Sequence, residues 1–215
     1  MSRGGERGPV RARLIACAVF EKEVAALPEA LRRSLDPVYI DSGLHLDPRA
    51  LDDAIASALG NGAGVPTVLA FGDCCPSMGE LARRGLAART RGANCCEIFL
   101  GAARYARYRR SGAFVLMPEW APRWESIFKE SLGLADRTLC REFMAQSMHG
   151  AVYVDTGIGP VPREALAGFA EFTGLRVAVE PAGPGHFIAA IRAALAEAMA
   201  GAAPEGASLS DSRHG

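Results

Sequence analysis

The chain has 215 residues, 49% of them hydrophobic, with 24 basic and 24 acidic side chains. That length gives one domain or two small halves sharing a core. The balanced charge argues against a nucleic-acid binder, which carries a basic face, and no apolar run reaches the roughly 18 residues that a membrane span needs.

Residues 1–11 read as a flexible leader, charged and glycine-rich, without the apolar core of a secretory signal. A cytoplasmic protein is therefore expected. In a reducing compartment its six cysteines are thiols, metal ligands or redox groups rather than structural disulfides. A first strand over Arg13–Ala18 runs into a helical stretch, Phe20–Arg33, with Phe20, Val24, Leu27 and Leu31 at helical spacing. Val38–Asp41 is a second strand. It leads through Ser42-Gly-Leu-His45-Leu to Asp47-Pro48, an N-cap followed by proline at the first helical position. The central strand, Val68–Phe71, meets Gly72-Asp73-Cys74-Cys75-Pro76 and then a helix from Met78 to Ala88.

A weak strand over Thr90–Asn94 precedes Cys95-Cys96 and a helix from Glu97 to Arg110. The arginines at 104, 107, 109 and 110 read as a solvated helix face. Ala113–Met117 is a strand closed by Pro118-Glu119-Trp120, and helices are expected over Pro122–Leu132 and Asp136–Met148. A strand over Ala151–Asp155, a helix near Pro162–Thr173, a strand over Leu175–Val179 and a helix near Pro184–Met199 complete the pattern. Residues 201–215 read as a disordered tail.

Alternation of strand and helix predicts an α/β fold, a mostly parallel sheet with helices on both faces. It forms a single domain over 12–200 with two related Rossmann-like halves, about 12–111 and 112–200. Val38-Tyr-Ile-Asp-Ser-Gly-Leu44 and Val152-Tyr-Val-Asp-Thr-Gly-Ile158 match position by position and carry the suggestion of a repeat.

In such a sheet the turns after successive strands open on one edge, where ligands bind. Cys17, Cys74 and Cys95 each stand at a strand-to-helix turn, where a helix N-terminus favours thiolate. Three convergent thiolates with an open position suit zinc or an iron–sulfur cluster. Cys75 and Cys96 are reserve ligands, and Cys140 fits packing within a helix. No CxxC spacing exists, so the metal identity stays open. His45 and Glu119 are the candidate proton-handling residues, with capping or surface roles as the alternative for His45, and Gly72 and Asp73 are the candidate cofactor-binding positions. Carboxylates in first turns, Asp73, Glu97, Glu21 and Glu23 among them, more often answer the helix dipole. Trp120 either walls a pocket or packs with Trp124 on one helix face.

At Ala16–Phe20 with Glu23, Asp41–Pro48, Gly72-Asp-Cys74, Cys95–Gly101 and Pro118–Trp120, the chain resembles the family known as domain of unknown function 1638 over about residues 12–180. The resemblance places Cys17, Cys74 and Cys95 on recurring cysteine positions. It implies a cytoplasmic α/β protein encoded beside corrinoid-dependent methyltransferase components, and hence a corrinoid or methyltransferase partner. The chain departs from the family pattern at Ala93, where a histidine is usual, and in the extra thiols Cys75 and Cys96.

Three readings follow. The first is a cysteine-ligated metal protein, iron–sulfur ahead of zinc, serving one-carbon or methyl-transfer metabolism as accessory or catalyst. The second is a metal-free thiol enzyme with Cys74 as nucleophile and Cys95 or Cys75 resolving the intermediate. The third is a module that binds a small molecule or corrinoid.

Overall fold

Leu14-Ile15-Ala16 and Thr67–Ala70 are apolar on both faces, a pattern that only a strand covered on both sides tolerates. The computed structural model describes residues 11–60 and 64–201 and places both segments at the centre of an all-parallel sheet. Of the leader expected over 1–11 and the tail expected over 201–215, residues 1–10 and 202–215 lie outside the described residues, and Gly201 ends the last helix. The strands of this sheet are β1 (Ala12–Cys17), β2 (Leu35–Ile40), β3 (Thr67–Ala70) and β4 (Ala88–Arg89), in the order β2-β1-β3-β4. Ile15 of β1 lies opposite Val38 on one side and Leu69 on the other. Pro37 sits in β2, an edge strand, where its missing N–H costs no ladder bond.

A second parallel sheet holds β5 (Ala113–Leu116), β6 (Gly150–Asp155) and β7 (Val177–Pro181) in that order. The fold is thus α/β and Rossmann-like, with two parallel sheets in place of one. The two matching heptapeptides occupy unlike places, the first on edge strand β2 and the second on central strand β6. What they share is local: Asp41 Oδ1 accepts from the Gly43 N–H at 2.7 Å and Asp155 Oδ1 from the Gly157 N–H at 3.0 Å. Asp-Ser-Gly and Asp-Thr-Gly are both Asx turns leaving a strand.

Several helices are shorter than the periodicity predicts, each for a stated reason. The stretch expected as one helix over Phe20–Arg33 is a 3-10 turn (Ala18–Phe20), then α1 (Glu21–Ala25) and α2 (Glu29–Arg33). Pro28 lacks an N–H and forces its predecessor toward extended backbone, so the helix breaks there. Asp47 caps α3 (Pro48–Leu59), accepting from the N–H groups of Arg49 and Ala50 at 3.1 Å. Helix α4 (Met78–Arg83) stops short of Ala88, because Gly85 turns the chain with φ +67° and Ala88-Arg89 enters the sheet as β4.

Gly101, at φ +82°, divides the expected Glu97–Arg110 helix into α5 (Cys95–Leu100) and α6 (Ala102–Arg110). A Cβ at Gly101 would lie 3.1 Å from the His186 ring. Beyond β5 the chain makes a 3-10 turn (Ala121–Arg123) and a π turn (Ser126–Ser131) where an α-helix is expected, followed by α7 (Arg137–Ser147), α8 (Arg163–Thr173) and α9 (Gly185–Gly201).

The last helix crosses the boundary between the halves. Phe187 of α9 stacks on Phe20 at 4.7 Å and on Phe99 at 5.8 Å, so α9 covers the first sheet rather than the second. Around the second sheet Trp124, Phe128, Phe169 and Cys140 form a separate core. Among the described residues no helix is long and apolar enough to cross a membrane.

Glu23 of α1 is 2% exposed, and its Oε1 has no hydrogen-bond partner. Burial raises its pKa above the ordinary carboxyl value, with the Glu119 carboxylate adding to the rise and Thr156 opposing it. A carboxyl whose folded pKa is raised contributes its full stability below its unfolded value, about 4.5, and loses it as pH climbs through the folded value. Glu23→Gln removes the charge. Its stability relative to wild type should therefore rise between pH 4.5 and pH 8, as the wild-type carboxyl is forced to ionise in its buried place. Urea midpoints at the two pH values check this; a constant offset between the two proteins refutes it.

Candidate functional site

The strand ends bring the expected cysteines together. Cys17 is the last residue of β1, opposite Ile40 of β2. Cys74 follows the β3 turn, and Cys95 opens α5. The two loops are clasped: the Asp73 N–H donates to the Ala93 carbonyl at 2.8 Å, and Arg89 pairs with Asp73 at 2.5 Å. Gly72 makes this possible, since a Cβ there would stand 2.3 Å from Asn94 Cα and 2.4 Å from the Ala93 carbonyl oxygen. Gly72 and Asp73, expected at a cofactor, hold the Cys74 loop against the Cys95 loop, and neither lines the cavity described below.

Asn94 caps α5. Its Oδ1 accepts from the Glu97 N–H at 3.0 Å and its Nδ2 donates to the Tyr105 hydroxyl at 2.8 Å, while Glu97 Oε2 accepts from the Ala93 N–H at 3.1 Å. Glu97 therefore serves the helix end, in a variant of the capping box.

The Cys95 thiol interacts with both Cys17 and Cys74, and its pKa is pushed well above the ordinary thiol value, first by Cys17, then by Cys74 and burial. Cys74 moves the opposite way, down to about 7, chiefly through the neighbouring Cys95 thiol; the Gly72 backbone and the Arg89 guanidinium assist, against burial and Asp73. The helices at these turns are of six residues or fewer.

The reserve thiols separate. Cys96 lines the cavity, but burial pushes it up to about 12. Cys75 faces Ser77 Oγ at 3.8 Å, which in turn bonds Asp52, and burial together with Asp52 lifts it to about 11. It does not line the cavity.

Cys17, Cys74, Cys95 and Cys96 form the sulfur-bearing wall of a cavity of about 140 Å³. Val19, Leu51, Phe71, Val115, Met117 and Trp120 supply its apolar surface, and Asp41, Ser42, His45 and Asn94 the polar remainder. Val115, Met117 and Trp120 come from β5 and the turn after it, so both sheets contribute to the cavity. His45 stacks on Trp120 with ring centres 5.1 Å apart. Trp124 turns to the second core, 5.3 Å from Phe172, while Trp120 packs against both cores and lines the cavity.

His45 Nδ1 bonds the Ser42 carbonyl. A carbonyl only accepts, so Nδ1 carries the hydrogen, and in the neutral ring Nε2 is left with its lone pair. Glu119 accepts from Ser42 Oγ at 3.0 Å and pairs with Arg123 at 2.9 Å. It stands behind Ser42 and does not line the cavity. Ser42 and Asn94 are the site residues that sequence reading missed. Asn94 was detectable as the residue three before Glu97, a capping signature; the partner of Ser42 is 77 positions away and leaves no local signal.

Three thiols and an imidazole are a donor set for a soft or borderline ion. Among the described residues, however, no group of three or more His, Cys, Asp or Glu side chains is disposed to hold an ion as it stands. An ion would have to take the place of the thiol protons.

No curated protein and no solved structure matches the chain. One family does, over residues 39–191, a segment that contains His45, Cys74, Cys95 and Glu119 and begins after Cys17. The chain belongs to that family, described as protein of unknown function (DUF1638).

Proposed function

We propose that Cys17, Cys74 and Cys95 are the ligands of a thiolate-bound metal centre, an iron–sulfur cluster or zinc, in a cytoplasmic protein of methyl-transfer metabolism. The observation that carries the reading is that Cys17, Cys74 and Cys95, from three separate loops, line one cavity. A metal centre is the chemistry that most needs three such thiols side by side. When bound, such a centre supplies a Lewis-acidic or redox position beside the apolar cavity. The residues of the chain hold protons around it: Cys74, lowered to about 7, ionises first, Cys95 must lose its proton for the site to load, and His45 lines the same space. Loading should therefore release protons and strengthen as pH rises. A corrinoid or a methyltransferase is the partner this reading expects.

Protein purified without oxygen tests it by metal and sulfide analysis and by absorption near 400 nm, where thiolate-to-iron charge transfer falls. About one zinc or one cluster per chain is expected. Cys74→Ala and Cys95→Ala should each weaken retention by more than the roughly 10–100-fold that loss of an outer-shell partner costs. Metal-free protein that also takes up no zinc on titration would sink the proposal.

A second reading has an observation of its own. Cys74 lowered to about 7, with the protonated Cys95 in contact, is the arrangement of a nucleophile beside a resolving thiol. Metal-free protein with one fast-alkylating cysteine at position 74 would select it.

A further inference from the structure

We infer that the cavity at the cysteines binds a small uncharged thiol, with its apolar part against Val19, Phe71, Val115 and Met117 and its sulfur toward Cys74 and His45. This deepens the site assigned above and rests on that cavity, but not on a metal being present.

The volume sets the size. A dry apolar cavity of roughly 150 Å³ accommodates benzene, and this one is about 140 Å³, so it suits a ligand or ligand moiety of about six heavy atoms. Its lining sets the polarity: Asp41, the one carboxylate in it, is already paired with Arg123 at 3.9 Å, and a charged group among the other side chains would lose its hydration without a paired charge. Hydrogen bonding narrows the class further. Ser42 Oγ is given to Glu119, His45 Nδ1 to the Ser42 carbonyl, Asp41 Oδ1 to the Gly43 N–H, and both ends of the Asn94 amide to Glu97 and Tyr105.

What remains unengaged among the lining groups is sulfur and the Nε2 lone pair of His45. A ligand with several donors and acceptors would bury them unmatched, whereas a thiol has one weak donor for Nε2 and a polarizable sulfur for the cysteines. A plain hydrocarbon fits the walls and ignores the acceptor.

The test uses the full chain, reduced and treated with chelator, with butanethiol, benzene and butyrate as probes. Binding is followed by chemical-shift changes of the Val115 and Met117 methyl groups. Saturable one-to-one binding of butanethiol is expected, weaker binding of benzene, and none of butyrate. His45→Ala should weaken butanethiol about fivefold, the worth of one modest hydrogen bond, and leave benzene unchanged. Val115→Phe should abolish both, with Val115→Leu as the milder variant if the first does not fold. Absent saturation by butanethiol, butyrate binding equally well, or binding that survives a folded Val115→Phe protein would each overturn the inference. Butanethiol binding to a protein that takes up no metal would leave it standing while the metal proposal falls. Metal uptake without butanethiol binding would do the reverse.

Discussion

Cys95→Ala is expected to move the pH midpoint for alkylation of Cys74 from near 7 to above 8.5. In wild type the largest influence holding Cys74 down is the neighbouring Cys95 thiol, and burial opposes it. Removing that neighbour leaves burial and Asp73 against the Gly72 backbone and Arg89, so the thiol returns to its ordinary range or passes it. The ionised fraction at pH 7 then falls roughly fifteenfold. Part of that loss is hidden in a rate at single pH, because a thiolate of higher pKa is the better nucleophile. The full pH profile is therefore the measurement, made on chelator-treated protein with the modified site identified by mass spectrometry. Cys95→Ser, which keeps a donor, should shift the midpoint less. A profile that stays near 7 in Cys95→Ala would show that Arg89 and the Gly72 backbone, not the neighbouring thiol, ionise Cys74. Both the metal and the nucleophile readings would then lose the coupling on which they draw.

Much of this site is legible in the sequence because parallel strands impose it. Leu14–Cys17 and Val68–Gly72 end apolar runs at small turn residues, and the rule that such turns share one edge is enough to place Cys17, Cys74 and Cys95 together. The Asp47-Pro48 cap and the strands near 113, 151 and 177 follow from equally local chemistry. The features that escape depend on contacts far apart in the chain. Cys74 and Cys75 are neighbours, yet one meets Cys95 and the other Ser77 and Asp52; residue type cannot tell them apart, and only the path of the backbone does. Trp120 and Trp124 have helical spacing, but the turn between them is 3-10; Trp120 both lines the cavity and packs on the second core, in which Trp124 is buried.

Helix α9 reads as the end of the second half, although Phe187 belongs to the aromatic stack on the first sheet. The Pro28 break follows from the same rule that placed Pro48 correctly, applied to a proline inside a helix instead of at its start.

Gly72→Ala should be the most damaging single-methyl change in the molecule. The backbone at Gly72 is not in the left-handed region, so glycine is required there by space alone. An added Cβ would sit 2.3 Å from Asn94 Cα, 2.4 Å from the Ala93 carbonyl oxygen and 2.6 Å from Asn94 N, all backbone atoms without a rotamer to escape into. The loops must part. Parting them strains the Asp73–Ala93 hydrogen bond and draws Cys74 from Cys95, so stability and thiol chemistry should suffer together. Overpacking of this kind costs about 1–3 kcal/mol. Gly79→Ala is the control: it lies in α4 with nothing within 4 Å of the new methyl, and alanine there should be neutral or stabilising by up to about 1 kcal/mol. Denaturant midpoints of the two variants, read beside the Cys74 alkylation profile, decide the matter. If Gly72→Ala loses stability while Cys74 still titrates near 7, the clasp is only a packing contact. If both move together, the close approach of the two loops is what gives Cys74 its low pKa.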